Sequence, residues 1–255
     1  MRHVAVDRRQ QDVAGTFGDT ILALEPEVVI DLVCFTSESA TALVEALRGR
    51  VGHLVHCGSI WRYGASRKLP IAEGSDSAGA PFDEYGIQKA AIARMLKEET
   101  ASGGLVTTSI HPGHIVGPGW HPTGPLVNTD PAVWRLLSSG GVITLPGSGA
   151  ETLHHVHADD VAQAFELAVE RRDAAAGEDF NIVAPTALSV RGYVEIASAW
   201  FGQAATLRSV TRDGTAIQVA SGQVTVGATL GAVWCLSLWW RRRWPVGVAL
   251  LCVLL

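Results

Sequence analysis

Val28-Val29-Ile30-Asp31-Leu32-Val33-Cys34-Phe35 is a nearly continuous apolar run. A strand with water on one face alternates apolar and polar residues, whereas one covered on both faces does not. The run therefore predicts a strand buried inside a parallel sheet. Downstream, Ser37 to Arg48 has helical spacing, with Ala40, Leu43, Val44 and Leu47 on one face and Ser37 as its cap. Val51 to Cys57 is a second apolar strand, Glu84 to Thr100 a helix, and Leu105 to His111 a third strand. Strands separated by helices are the mark of βαβ units and a parallel sheet. Upstream, His3 to Val6 reads as a short strand closed by Asp7, and Asp12 to Leu24 as a helix weakened by Gly15 and Gly18 before Pro26.

The rest of the chain is less regular. Residues 64–83 are rich in Gly, Pro, Ser and Asp and read as a loop. From Pro112 to Gly149 the chain is punctuated by Gly and Pro. Ala158 to Glu170 is an amphipathic helix whose Asp159 and Asp160 suit a helix N-terminus. Phe180 to Val183 reads as a strand and Val190 to Phe201 as a helix. After about residue 213 the composition changes: Val224 to Trp240 holds 17 uncharged residues, Arg241 to Arg243 follow, and a second apolar run closes the chain.

At 255 residues and 47% hydrophobic, the chain can bury a substantial core. A net charge of −5 without a basic stripe argues against a nucleic-acid partner. Cys34, Cys57, Cys235 and Cys252 form no CxxC pair, so reduced thiols in a cytoplasmic protein are expected. His111 and His114 have ligand-like spacing and His154, His155 and His157 cluster, but no converging ligand set is evident and no metal is expected.

The chemistry centres on Tyr85-Gly86-Ile87-Gln88-Lys89. A Tyr and a Lys four apart share one helix face. A free phenol, with a pKa near 10, is a poor base at neutral pH, and a nearby ammonium lowers that value. So tuned, Tyr85 could exchange a proton with a substrate oxygen. Alone the pattern equally describes a surface helix. Ser59, 26 residues earlier, directly follows an apolar strand, in the segment His56-Cys57-Gly58-Ser59-Ile60-Trp61-Arg62-Tyr63-Gly64. In open parallel sheets, ligands bind beyond the carboxyl ends of the strands.

This order of motifs resembles the extended short-chain dehydrogenase/reductase family, the NAD-dependent epimerase/dehydratases. His111-Pro112-Gly113-His114-Ile115-Val116-Gly117-Pro118-Gly119 is similar to the family's RPxxxxGPG stretch, with His for Arg. His155 to Ala162 resembles its hVdDvA helix start, and Phe180-Asn181-Ile182-Val183 its yNv strand. The resemblance spans roughly residues 3–205. It implies Tyr85 as general acid/base, Lys89 as the ribose-binding residue that depresses the tyrosine pKa, and Ser59 as the group that orients the substrate oxygen. It also implies cofactor contacts from Asp7 on the adenine side, from Val33, Cys34 and Phe35 beside the adenosine, and from Pro112, His114 and Ile115 near the nicotinamide. The implied cofactor is NAD or NADP, the implied substrate a small molecule such as a nucleotide sugar, and the implied assembly a homodimer pairing through the tyrosine helix.

The expected fold is α/β, a Rossmann-like doubly wound parallel sheet lacking the first β-α-β, with a small C-terminal substrate region. No GxxGxxG or GxGxxG precedes Val28, so the chain starts at the family's third strand. A truncated or misassigned start and a degenerate copy both fit. The Val28 strand should then lack a neighbour, and cofactor affinity should fall. Residues 1–115 with about 150–185 make the incomplete nucleotide-binding domain, 116–149 and 186–212 the substrate segments, and 213–255 an atypical tail. The tail has three readings: a membrane span that would place the chain at a membrane, a hairpin of apolar segments, and an altered reading frame. The alternative to an enzyme is an inactive pseudoenzyme or binding module, which the tail would tether to a membrane if it spans one.

Overall fold

The computed structural model describes residues 3–66, 70–74 and 79–210, and the backbone of 248–251. In chain order the elements are α1 (Arg8–Ala14), α2 (Phe17–Leu22), β1 (Val28–Asp31), α3 (Ser37–Leu47), β2 (His53–Cys57), a 3-10 turn (Ile60–Arg62), α4 (Glu84–Ala101), β3 (Thr107–Pro112) and β4 (His114–Val116). Then come α5 (Pro131–Ser139), β5 (Val142–Pro146), β6 (Thr152–Leu153), β7 (His155–His157), α6 (Ala158–Glu170), α7 (Arg172–Ala175), β8 (Asp179–Ile182), β9 (Leu188–Ser189), α8 (Val190–Trp200), β10 (Thr206–Val210) and β11 (Val248–Leu251).

The chain divides into two compact units, described at residues 3–113, 158–182 and 248–251 for the first and 114–157 and 183–210 for the second. The first is an α/β unit. Its sheet has the order β11-β1-β2-β3-β8, and every adjacent pair is parallel. Val29 and Leu54 on one sheet face pack with Leu43, Val44 and Leu47 of α3 and Ile92 and Leu96 of α4. Burial of this kind supplies most of the stabilisation, at roughly 1.5–3 kcal/mol for each large apolar side chain removed from water. In the second unit, Val133 and Leu137 of α5, Ile143 and Leu145 of β5, and Tyr193, Val194 and Ala197 of α8 form a separate core.

Several elements differ from the sequence expectation. His3–Val6 forms no strand; it leads into α1, for which Asp7 is the N-cap, its carboxylate accepting the Gln10 N–H at 2.9 Å. No described strand offers that segment a ladder. The helix expected from Asp12 to Leu24 is two helices, broken where Gly15 takes φ 69°. β1 stops at Asp31 rather than Phe35 because the Asp31 carboxylate takes the Val33 N–H at 3.3 Å, turning the backbone out of the ladder. The cap of α3 is Thr36, which accepts the Ser39 N–H, while the Ser37 N–H goes to Gln88. β1 is not left without an outer neighbour: Val248–Leu251 pairs with it in parallel, Val28 opposite Val248. The apolar run Val224 to Trp240 lies outside the described residues, and among the described residues no helix is long and apolar enough to cross a membrane.

Candidate active site

The carboxyl ends of β1 and β2 bring Ser59, Tyr85 and Lys89 together. α4 starts at Asp83, whose carboxylate accepts the Gly86 N–H at 2.8 Å. This fixes the first turn of α4 and with it Tyr85. Lys89 follows one turn later and is 2% exposed. Its Nζ donates to the carbonyls of Cys34 and Cys57, each at 2.7 Å. Those carbonyls lie beyond the end of β1 and at the end of β2, so one ammonium ties the two strand ends together. Burial lowers the Lys89 pKa, as leaving water disfavours the charged form.

Tyr85 packs beside Phe35 at 6.4 Å between ring centroids, and Lys89 Nζ lies 5.8 Å from the Tyr85 ring centre. The Ser59 hydroxyl lies near enough to the Tyr85 phenol to lower its pKa. Burial pushes the Tyr85 pKa above its usual value, against the lowering effect of Ser59. The expected depression by Lys89 is not what dominates here. The ammonium is turned toward two carbonyl oxygens.

Ser59 is itself tightly placed. Its hydroxyl accepts the Trp61 N–H at 3.2 Å, and its own N–H donates to His111 Nδ1 at 3.2 Å. His111, near the end of β3, was not among the residues expected to act. Its Nε2 lies 3.1 Å from Asp179 Oδ1 and 2.6 Å from Arg62 Nη1, and Arg62 also pairs with Asp179 at 3.1 Å. The one sequence signal was the histidine standing where the family motif has arginine. A methyl group at Gly58 would overlap the His111 ring. Gly58→Ala is therefore expected to cost about 1–3 kcal/mol, read as a lower urea midpoint at unchanged slope; an unchanged midpoint would show that the ring can move aside.

Register places Asp31, His56, Ser109 and Asp179 on one rung across β1, β2, β3 and β8. All four are buried. Arg8 pairs with Asp31 at one end of this row and Arg62 with Asp179 at the other. Buried charges need such partners.

The remaining expected contacts are spread out. Val33 and Cys34 are buried beyond β1, and Asp7 is exposed at the start of α1. Pro112 ends β3 in the first unit, whereas His114 and Ile115 belong to β4 in the second. There His114 stands against His155 with ring centroids 5.6 Å apart, and burial takes its pKa down to about 4. Among the described residues no group of three His, Cys, Asp or Glu could hold a metal ion.

A model described as the NAD dependent epimerase/dehydratase family matches residues 35–183. The chain belongs to that family. A curated relative, the 2'-dehydrokanamycin reductase of Streptomyces kanamyceticus, is 27% identical over 166 residues, which cover 65% of this chain. The match spans 45% of that reductase's own length. Among solved structures, the UDP-glucose 4-epimerase of Thermotoga maritima, with UDP-glucose, is similar at a TM-score of 0.60 and 18% identity, covering 82% of this chain and 70% of that one. A dTDP-glucose 4,6-dehydratase from Bacillus anthracis in complex with NAD gives 0.62 and 15%, covering 77% and 65%. At such identities these structures establish the Rossmann-like fold.

Proposed function

We propose that the chain is an NAD(P)-dependent reductase or epimerase that exchanges a proton with a hydroxyl or carbonyl of a sugar-like substrate, with a nucleotide sugar as the leading candidate. The observation that carries this reading is the placing of Ser59 beside Tyr85, with Lys89 one turn along the same helix and anchored on two strand ends. Tyr85 gives a proton to the substrate oxygen, or takes one from it, and Ser59 holds that oxygen in line. The raised Tyr85 pKa keeps the phenol protonated at neutral pH, which suits the proton-giving direction. When bound, the nicotinamide supplies or removes the hydride.

The residues present fit the nicotinamide end. Lys89 spends two of its three N–H donors on carbonyls, which leaves one for a ribose hydroxyl. Pro112 ends β3 nearby, while Val33, Cys34 and Phe35 follow β1 on the adenosine side, with Phe35 beside Tyr85 and under the Lys89 ammonium. The pyrophosphate end is different. α1 and α2 follow Asp7 and Thr16, and neither opens from a glycine-rich turn. That observation favours the second reading, a binding module that keeps the site without the turnover. Residues 116–149 and 186–212 are assigned to the substrate.

Calorimetric titration with NAD and NADP separates the two. Binding at micromolar strength is expected if other backbone donors replace the glycine loop, followed by turnover on a panel of UDP- and dTDP-sugars. No heat at millimolar cofactor would overturn the enzyme reading for this chain and leave the binding module.

A further inference from the structure

His111 lies at the join between the sheet and the 3-10 turn that carries Ser59. The β2–β3 ladder continues as far as the Gly58 N–H, which donates to the Ile110 carbonyl at 2.7 Å. The next N–H, that of Ser59, leaves the ladder and meets a side chain, His111 Nδ1. The ring is 0% exposed and lies directly against Gly58. A neutral imidazole that accepts at Nδ1 carries its proton on Nε2. Nε2 stands between Asp179 Oδ1 at 3.1 Å, which can accept that proton, and Arg62 Nη1 at 2.6 Å, which can only donate, so the Ser59 and Arg62 N–H groups compete for the ring's one lone pair. The same carboxylate holds Arg62, the last residue of the turn. One buried aspartate thus pins both ends of the segment Ser59–Arg62, through His111 at its start and by an ion pair at its finish.

We propose that His111 is a positioning residue of this site: held from behind by Asp179, it accepts the Ser59 N–H and so fixes the Ser59 hydroxyl against Tyr85 and the substrate oxygen. The proposal rests on the catalytic reading of Ser59 and Tyr85. Burial, ahead of the Arg62 guanidinium, disfavours a charged ring, and a neutral ring keeps one lone pair, which at Nδ1 takes the Ser59 N–H. Reach matters because misplacing a catalytic group by about 1 Å can cost roughly a hundredfold in rate.

Two substitutions divide the ring's functions. In His111→Asn the amide oxygen occupies the Nδ1 place and still accepts the Ser59 N–H, while the Asp179 contact is lost. In His111→Gln the amide nitrogen occupies the Nε2 place and still donates to Asp179, while the Ser59 N–H loses its acceptor. The proposal expects the Ser59 amide proton resonance to move upfield in His111→Gln and stay put in His111→Asn. It also expects kcat on the sugar turned over in the panel to fall about tenfold or more in His111→Gln with KM little changed, and to be largely kept in His111→Asn. An unmoved Ser59 amide in His111→Gln, or equal kcat losses in both variants, would overturn it. The failure of the underlying reading looks different: Ser59→Ala would then retain full turnover, whereas the amide shift reports the anchor without any reaction. Should both histidine variants fail to fold, Asp179→Asn replaces them. Imidazole nitrogen shifts should then show His111 losing its Nε2–H preference, and an unchanged tautomer would count against the proposal.

Discussion

Tyr85→Phe is expected to lower turnover by about 10²–10⁴-fold while leaving the fold intact. Phenylalanine keeps the ring that packs beside Phe35 and below Lys89. What it loses is the hydroxyl, and with it the polar contact with Ser59. Even a full hydrogen bond contributes only about 0.5–1.5 kcal/mol net to stability. The melting temperature should therefore shift by only a few degrees. The site contributes more through protonation state. Burial raises the Tyr85 pKa above its ordinary value, so the phenol carries its proton throughout the neutral range. The reducing direction, in which Tyr85 is the acid, should accordingly run without a fall between pH 6 and 8. The oxidising direction needs the phenolate and should rise with pH. Full turnover in Tyr85→Phe would remove the residue from the reaction. Loss of turnover together with a collapsed melting transition would make its role structural.

Much of this arrangement was legible in the sequence, and the misses have physical causes. The α6 limits, Ala158 and Glu170, match the amphipathic pattern because Asp159 and Asp160 mark its start. α5 went unread although its signals are plain in hindsight: Asp130 caps it, Pro131 opens it and Gly140 closes it at φ 69°. The density of Gly and Pro around that helix hid it. His3–Val6 has the composition of a strand, but a strand needs a partner to satisfy its backbone. The β1–β11 pairing joins residues 220 apart, Val28 with Val248, which no local pattern can announce. The site divides in the same way. Tyr85 and Lys89 share one helical turn, so spacing alone places them together. His111 and Asp179 are 68 residues apart and meet through the register of β3 and β8. Sequence could flag the odd histidine but not its partner.

The second large effect is expected from acid. Burial lowers the pKa of His53 to about 4 and holds that of His56 well below its usual 6.5. His111, His114 and His155 are also lowered, with burial as the leading cause in each. In the unfolded chain all five take up a proton near pH 6.5. Between that pH and about 4 the unfolded state therefore holds more protons than the folded one. Stability is complete above about pH 6.5 and is lost as the pH falls through this window. For His53 alone, the separation of 6.5 from about 4 amounts to about 3 kcal/mol by the bottom of the window. A typical domain has roughly 5–15 kcal/mol in all. Several such histidines together should then unfold the protein before pH 4. His53 offers the cleanest check, since its Nε2–H meets the Thr108 hydroxyl, which itself donates to the Ala175 carbonyl. Glutamine at position 53 can present an N–H in the same place and cannot titrate. His53→Gln should keep the neutral-pH melting temperature within a few degrees and flatten its decline between pH 6.5 and 4.5. An equal slope in the two proteins would mean that His53 is protonated in the folded state as readily as in the unfolded one, and the acid sensitivity would then have to come from carboxylates such as Asp179, whose pKa is lowered by the His111 and Arg62 contacts and whose contribution is lost only at still lower pH.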